Sequence, residues 1–466
     1  MFQKILTWIS EVIKRMIGQS TVKQALNVNV AISTEMASAL QLWTQMYENK
    51  AYWLNDTVKS LNLPAAIAGE LSRSATLEMV VEFTEGARAK YLETQFKRVL
   101  AKIDMVTEYG SAKGGVVLKP YVKGSEIYVD LVHADQFYPV AFDEDGDFTA
   151  AVFVDQRQAG DKFYTRLEYH SMTAAGCQIV NMAYQSDARD TLGRQVSLGT
   201  IAEWADILPE ATITGIDRPL FAYFKFPLAN NIDATSALGV SCYSRATELI
   251  HDADVQWSNL LWEFESGQRA LYVDVLAFGK DSSGKPMLPN KRLYKTIDTG
   301  GTADAMFEDW SPTFREESIL KGLDAILKRI EYTTGLAYGT LSDPATIDKT
   351  ATEIKTSKQR TYATITAVQK ALQKALDDLI WAMDVWTTLA NLAPAGPYAV
   401  TYQFDDSVLV DTDLQFQQDL RLVTQGLMSK VEFRMRNFRE KEEVARAKIA
   451  EVLAEQPQQV DPFAGA

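Results

Sequence analysis

Between residues 241 and 265 the apolar positions recur at spacings of three and four: Tyr243, Ala246, Ile250, Ala253, Trp257, Leu260 and Phe264. That period predicts a helix lying lengthwise against other helices. A second stripe on the same helix, Glu248, Asp252, Gln256, Asn259 and Glu263, is polar and mostly acidic. Like charges at i and i+4 cost an isolated helix roughly a few tenths of a kcal/mol, so the stacked Glu248 and Asp252 point to a face in use. A partner helix is expected over 313–334. Its seam is Leu320, Leu323, Leu327 and Ile330, widened by Ile319 and Ile326. Thr313 and Glu316 have capping-box spacing, and Gly335 stands where a left-handed cap belongs. Glu317/Lys321 and Asp324/Lys328 are spaced for ion pairs on its outside. Between the two helices, 270–278 and 291–297 read as the strands of a hairpin around the turn GKDSSGKP. Two seamed helices joined by a distal hairpin predict a projecting stalk.

After Gly335 the segment GLAYGTLSDPATIDKTATEIK is a loop, pliable at Gly335 and Gly339. A helical pattern then covers 350–392, roughly 60 Å at the usual rise. Ile365, Val368, Leu372, Leu376, Leu379, Met383 and Trp386 give its later half a seam, while its first half has only Ile354 and Tyr362 as large apolar groups.

Upstream, the chain to about residue 103 reads mostly helical, with 61–83 and 85–105 the clearest pieces. Gly114-Gly115 then opens a different texture. Runs at 116–122, 126–133, 148–155, 163–170 and 178–184 read as strands of an antiparallel meander, with turns at Lys123-Gly124, Asp145-Gly146 and Gly160-Asp161. A nucleotide-binding parallel sheet would need strands alternating with helices, and they do not alternate here. Downstream, 398–404 reads as one more strand returning to this sheet. Residues 413–425 read as a helix stopped by Gly426, and Ser429 as the cap of a charged helix to about 455. The tail QPQQVDPFAGA has a disordered composition.

At 466 residues, 47% hydrophobic and 23% charged, the chain has the composition of a folded protein of several substructures. Its net charge of −14 argues against gripping DNA through phosphates but allows DNA to slide past. Cys177 and Cys242 lack metal spacing, which suits a reduced compartment. No apolar run is long enough to span a membrane. The amphipathic start MFQKILTWISEVIKRMIG is expected to dock on protein rather than lipid.

No motif here carries catalysis. GKDSSGK has the outline of a phosphate loop, but Pro286 stands where the Ser or Thr magnesium ligand belongs. DEDGD (143–147) has its glycine too early for a calcium loop. His133, His170 and His251 lack the spacing of a zinc site or a triad. No cofactor and no metal are expected. Lys349, Lys355, Lys358, Arg360, Lys370 and Lys374, against Glu353 alone, make the front of the long helix basic. These residues are spread around the helix, so they read either as a solvated face or as one near DNA or an acidic stalk.

The order helix, hairpin, helix, loop, long helix resembles the portal proteins of tailed, siphovirus-like bacteriophages. So does the wording PLANNIDATSALGVSCYSRATELIHDADVQWSNLLWEF, then ILKRIEYTTGLAYGTLSDPATIDKTATEIKTSKQRTYATI, then QFDDSVLVD and GLMSKVEFRMRN. The resemblance implies an α+β portal fold. Residues 1–105 would be the N-terminal helical part of a wing and 106–236 its β-rich part. Residues 237–265 and 313–334 would form a helical stem, 266–312 a clip hairpin and 335–349 a loop projecting into a channel. Residues 350–410 would be the long wing helix and returning strand, and 411–466 a helical crown with a disordered tail.

It further implies a ring, usually of twelve copies, at one capsid vertex, through which double-stranded DNA is packaged and ejected without sequence specificity. The expected partners are other copies of the chain, the terminase large subunit, major capsid and scaffolding proteins, and a head-tail adaptor. The expected location is the virion, and the host cytoplasm during assembly. Glu248, Asp252, Gln256, Asn259 and Glu263 would line the channel. Gly335, Tyr338, Gly339, Thr340, Leu341, Ser342, Asp343 and Lys349 would form the channel loop. Lys280, Lys285, Lys291, Arg292 and Lys295 would dock partners at the clip. The competing expectation is an oligomeric helical scaffold or adaptor of a virion that conducts no DNA.

Overall fold

The computed structural model describes residues 22–268, 270–274, 294–297, 307–310, 313–343, 351–404, 412–438, 440 and 442–455. The amphipathic start, the GKDSSGK loop, the C-terminal tail and the side chains of Ile354, Lys355 and Lys358 lie outside the described residues. The chain divides into two units, Met1–Phe404 and Asp405–Ala466.

After a helical stretch at 22–26, the first unit continues with α1 (Thr34–Tyr47), started by Ser33, whose hydroxyl accepts the Met36 N–H at 3.3 Å. Then follow α2 (Leu63–Thr76), β1 (Met79–Phe83), α3 (Ala87–Leu100) and α4 (Ile103–Lys113). The expected helices at 61–83 and 85–105 are therefore each cut short. The β-branched and aromatic run MVVEF leaves the helix and pairs antiparallel with the late strand 400–404. Residues 101–102 separate α3 from α4.

Next come β2 (Gly115–Lys123), β3 (Glu126–His133), β4 (Phe137–Phe142), β5 (Phe148–Ala159), β6 (Lys162–Thr173), β7 (Gly176–Ser186), β8 (Arg194–Val196), β9 (Glu210–Ile213) and β10 (Ala222–Lys225). The five expected strands are present, but not as one meander. β2 and β3 form a three-stranded sheet with β10, in the order β10-β2-β3. β4 to β8 form the antiparallel path of a second sheet, with β9 added beside β7. The first half of β2 is buried without alternation, as a strand covered on both faces should be. Phe137, Phe148, Phe153, Phe221 and Tyr223 interlock between the two sheets, with Phe148 and Tyr223 edge-to-face at 4.8 Å.

The helical pair follows as α5 (Thr247–Ser266) and α6 (Glu316–Thr334), separated by β11 (Ala270–Asp274), β12 (Tyr294–Ile297) and β13 (Phe307–Trp310). The expected hairpin is not one. β11 pairs with β12 in parallel and with β13 antiparallel, so the sheet runs β12-β11-β13. Parallel neighbours need a crossover of a dozen or more residues, which the 275–293 connection is long enough to supply. The short FEDW strand has too little alternation to show in the sequence.

The long helix α7 (Ala351–Leu389) buries Ile365, Val368, Leu372, Leu376, Leu379 and Met383 along its later half and leaves Tyr362 exposed. Arg88 pins it to α3: the buried guanidinium reaches Asp384 at 2.6 Å, the Ala393 carbonyl at 3.0 Å and the Thr388 hydroxyl. The expected late strand is β14 (Val400–Phe404), and its only partner in the described residues is β1, not the meander.

The second unit holds α8 (Thr412–Thr424), α9 (Lys430–Phe438) and α10 (Glu442–Glu455). Gly426 takes a positive φ of 73° after α8, and the Ser429 hydroxyl accepts the Glu432 N–H at 3.0 Å to start α9. The single helix expected to 455 is broken between α9 and α10. In the gap, Glu440 accepts from Arg434 at 2.8 Å and from Lys448. These bonds, Arg434 first, hold its carboxyl down at about 2.

Candidate functional site

The helical pair and the loop below it carry most of the residues singled out in the sequence. α5 is seated by its own seam, with Tyr243, Ala246, Ile250, Ala253 and Leu260 buried, Trp257 half-buried and Phe264 exposed. An acidic residue outside the expected stripe does further work. Asp254, 2% exposed, accepts the Trp53 indole N–H at 2.9 Å and the Leu61 N–H at 2.8 Å. Burial raises its carboxyl above the usual range, against the pull of those two donors.

The predicted polar stripe splits. Glu248, Asp252 and Asn259 are exposed. Gln256 turns toward α6 and donates to the Ile319 carbonyl at 3.3 Å. Glu263 is buried and receives Arg315 three times: the backbone N–H at 2.9 Å, Nε at 3.2 Å and Nη2 at 2.7 Å. Those bonds hold its carboxyl below the usual range. Within the chain Gln256 and Glu263 therefore face α6 rather than solvent. The 3.6-residue period rotates positions 256 and 263 toward the α5–α6 contact, which a straight i+4 stripe ignores.

α6 begins at Glu316, with Arg315 as its N-cap and no side-chain cap bond, so the Thr313/Glu316 capping box does not form. The Glu317–Lys321 and Asp324–Lys328 ion pairs do, at 2.7 and 2.6 Å. Leu323 and Ile330 are buried, Leu327 is half-buried and Leu320 is exposed. Leu261, Trp262, Phe264, Phe314 and Leu320 leave an apolar surface on the pair, Trp262 at 63% exposure.

Gly335 closes α6 with φ 79°, as expected. Up to residue 343 the loop beyond it is tied by hydrogen bonds to α6. Gly339 sits at φ 88°, and Thr340 donates to the Ala337 carbonyl at 2.7 Å. Leu341 is half-buried and Ser342 is buried. The N–H groups of Gly339, Leu341 and Ser342 all reach the Glu331 carboxylate, and Asp343 N–H reaches Asp324. Arg360 of α7 stacks over Tyr332 at 4.3 Å and lies 5.8 Å from the Tyr338 ring, so the loop root is flanked by both helices. Lys374 is tied to Asp147 at 2.6 Å, and Lys370 is exposed. Lys295 is exposed on β12. Lys280, Lys285, Lys291, Arg292 and Lys349 lie outside the described residues.

The sequence reading missed Asp254, Glu331 and Arg315. A signal was present for the first two, since each is an acid inside an apolar seam: Asp254 beside Ala253, and Glu331 beside Ile330. Among the described residues no cluster of His, Cys, Asp or Glu could hold a metal ion, and no helix is long and apolar enough to cross a membrane. DEDGD is a turn in which Asp143 accepts the N–H groups of Asp145 and Asp147 at 3.0 and 2.8 Å. His170 is bound to Glu168 at 2.7 Å within a buried ion cluster of the second sheet.

Solved structures that resemble this chain include two particle necks. One is described as "Neck of native GTA particle computed with C12 symmetry", with 13% identity over 80% of this chain and 89% of that one and a TM-score of 0.37. The other is described as "Neck of empty GTA particle computed with C6 symmetry", with 12% identity over 85% of this chain and 92% of that one and a TM-score of 0.40. No curated protein sequence matches. A family model described as "Phage portal protein, SPP1 Gp6-like" matches residues 87–460, through both units. The chain belongs to that family of phage portal proteins, structural rather than catalytic components of the virion.

Proposed function

We propose that about twelve copies of this chain close into a ring at one capsid vertex, a head-to-tail arrangement whose rotation closes, and that double-stranded DNA is packaged and ejected through its channel. The observation that carries the reading is the family match across 87–460, which takes in the helical pair, the loop and the long helix together. On this reading α5 and α6 are the stem, 266–312 the clip and 335–349 the channel loop. Residues 1–236 and 350–410 make up the wing, and 411–466 the crown.

The exposed Leu261, Trp262, Phe264, Phe314 and Leu320 form the kind of apolar surface that a neighbouring copy covers. Glu248, Asp252 and Asn259 remain free to face the lumen, where stacked carboxylates repel phosphates and keep DNA from sticking. Gln256 and Glu263 instead brace the stem from within. The terminase large subunit would dock at the clip and supply the ATP chemistry, followed by the head-tail adaptor. Capsid and scaffolding proteins would hold the ring in the shell. Lys295, exposed on the clip sheet, is one cation available for docking. A head-assembly and packaging reaction tests this directly: heads assembled without the protein should stay empty, and DNA-filled heads in its absence would refute the reading.

A further inference from the structure

Glu331 is fully buried on the inner face of α6. Its Oε1 accepts three backbone N–H groups, from Gly339 at 3.1 Å, Leu341 at 2.6 Å and Ser342 at 2.8 Å, and its Oε2 accepts the Ser342 hydroxyl at 2.9 Å. Seven residues earlier on the same face, Asp324 Oδ1 accepts the Asp343 N–H at 3.1 Å. Two carboxylates of one helix thus hold the backbone of the loop that follows it. Amide groups converging on one anionic oxygen are the device by which loops hold phosphate.

We propose that Glu331 is the positioning residue of this loop and an internal anion that withholds the loop's amide donors from DNA. The second half rests on the reading that the loop borders the DNA path. A loop with three convergent N–H groups and a hydroxyl, set beside a polyphosphate, would otherwise grip each phosphate that passed. With Glu331 in place those donors are already used by charge-assisted bonds, which are shorter and stronger than neutral ones. DNA then meets a loop whose three convergent amides are already bonded, while the same bonds fix the loop against the stem helix.

The test is hydrogen exchange on the full-length assembled protein, followed over peptides spanning 336–343, in wild type, Glu331→Gln and Glu331→Ala. Glutamine keeps one oxygen for the amides, and its NH2 can donate to Ser342, so it should rescue most of the geometry. Wild-type loop amides should exchange as slowly as those of the helix before them. Glu331→Ala should speed them roughly 100-fold, the loss of several charge-assisted bonds, while the α6 peptides stay unchanged and glutamine falls between. Inorganic phosphate should restore protection to the alanine variant alone. Wild-type loop amides exchanging at the rate of free chain would overturn the latch.

Rings carrying Glu331→Ala should also retain DNA longer during passage. Exchange that is released by the mutation without any change in DNA retention or phosphate response would overturn the masking role. Neither result touches ring formation, which mass and microscopy read separately. If Glu331→Ala does not fold, Ser342→Ala removes the hydroxyl's bond to Glu331 Oε2 together with the bond it accepts from the Gly339 N–H at 3.2 Å. It should speed loop exchange several-fold, and unchanged exchange would count against the latch.

Discussion

Asp254 joins α5 to the segment 53–61 and is the most exacting test of how the stem helix is seated. Removing its carboxylate in Asp254→Ala leaves a buried donor, the Trp53 indole N–H, and a half-buried one, the Leu61 N–H, without this acceptor. Each such donor costs about 1–3 kcal/mol. Part of that is offset, because the ionised group is itself costly where it sits, as its raised carboxyl shows. The net loss should be about 2–4 kcal/mol, a thirtyfold to thousandfold fall in the folded-to-unfolded ratio. Asp254→Asn keeps one oxygen, so one donor stays bonded and the other meets an NH2 group. It should lose roughly half as much. Asp252→Ala, an exposed neighbour on the same helix, should stay within about 0.5 kcal/mol of wild type. Urea unfolding of the three variants in parallel, comparing midpoints at equal slope, reads these differences. An Asp254→Ala protein as stable as Asp252→Ala would refute the claim that these bonds seat the helix.

Gly335→Ala must place a Cβ at φ 79° and against the Thr364 side chain. It should lower stability by at least about 1 kcal/mol, measurable in the same urea assay, and equal stability would show that the loop root can shift. Glu248→Gln with Asp252→Asn removes the exposed charged pair of α5. Rings should form normally but DNA should pass more slowly, and an unchanged packaging rate would count against a repulsive lumen. The third test is pH dependence in the buried cluster where Glu168 meets Lys119 at 2.6 Å, Arg166 at 3.0 Å and His170 at 2.7 Å. Burial alone would raise Glu168, but Lys119, His170 and Arg166 outweigh it and hold its carboxyl well below 4.5. Burial likewise holds His170 below 6.5, so it stays neutral. Stability should therefore be flat above pH 6.5. It should fall first as the unfolded chain protonates the histidine, and again below pH 4.5 as Glu168's advantage is lost. Glu168→Gln should cost about 3–5 kcal/mol at neutral pH by leaving the buried Lys119 without its ion-pair partner, and should flatten the lower step. A wild-type curve flat down to pH 4 would contradict this.

What the sequence made legible was periodicity. The seam from Tyr243 to Leu260, the later half of the long helix, the glycine cap at 335 and five of the sheet strands all follow from local patterns of 3.6 or 2 residues. What it hid depended on partners distant in the chain. MVVEF at 79–83 continues a helical-looking run and becomes a strand because Val400–Phe404 lies alongside it. Tyr294–Ile297 pairs in parallel where a hairpin was expected, since pairing direction is set by the connection and not by the strand's own residues. The acidic stripe is continuous in sequence spacing, yet positions 256 and 263 lie rotated from 248, 252 and 259 around the helix. Arg315, fifty-two residues away, draws Glu263 out of it. Glu331 could be marked as an acid in an apolar seam, but its ligands are backbone amides, which no side-chain pattern reveals.

The central claim, a ring with a channel, is tested most directly by electron microscopy of the purified protein together with its mass by light scattering. The account predicts annular particles with a central hole wide enough for duplex DNA and a mass near twelve times 52.0 kDa. Compact dimers or tetramers without a hole would contradict it.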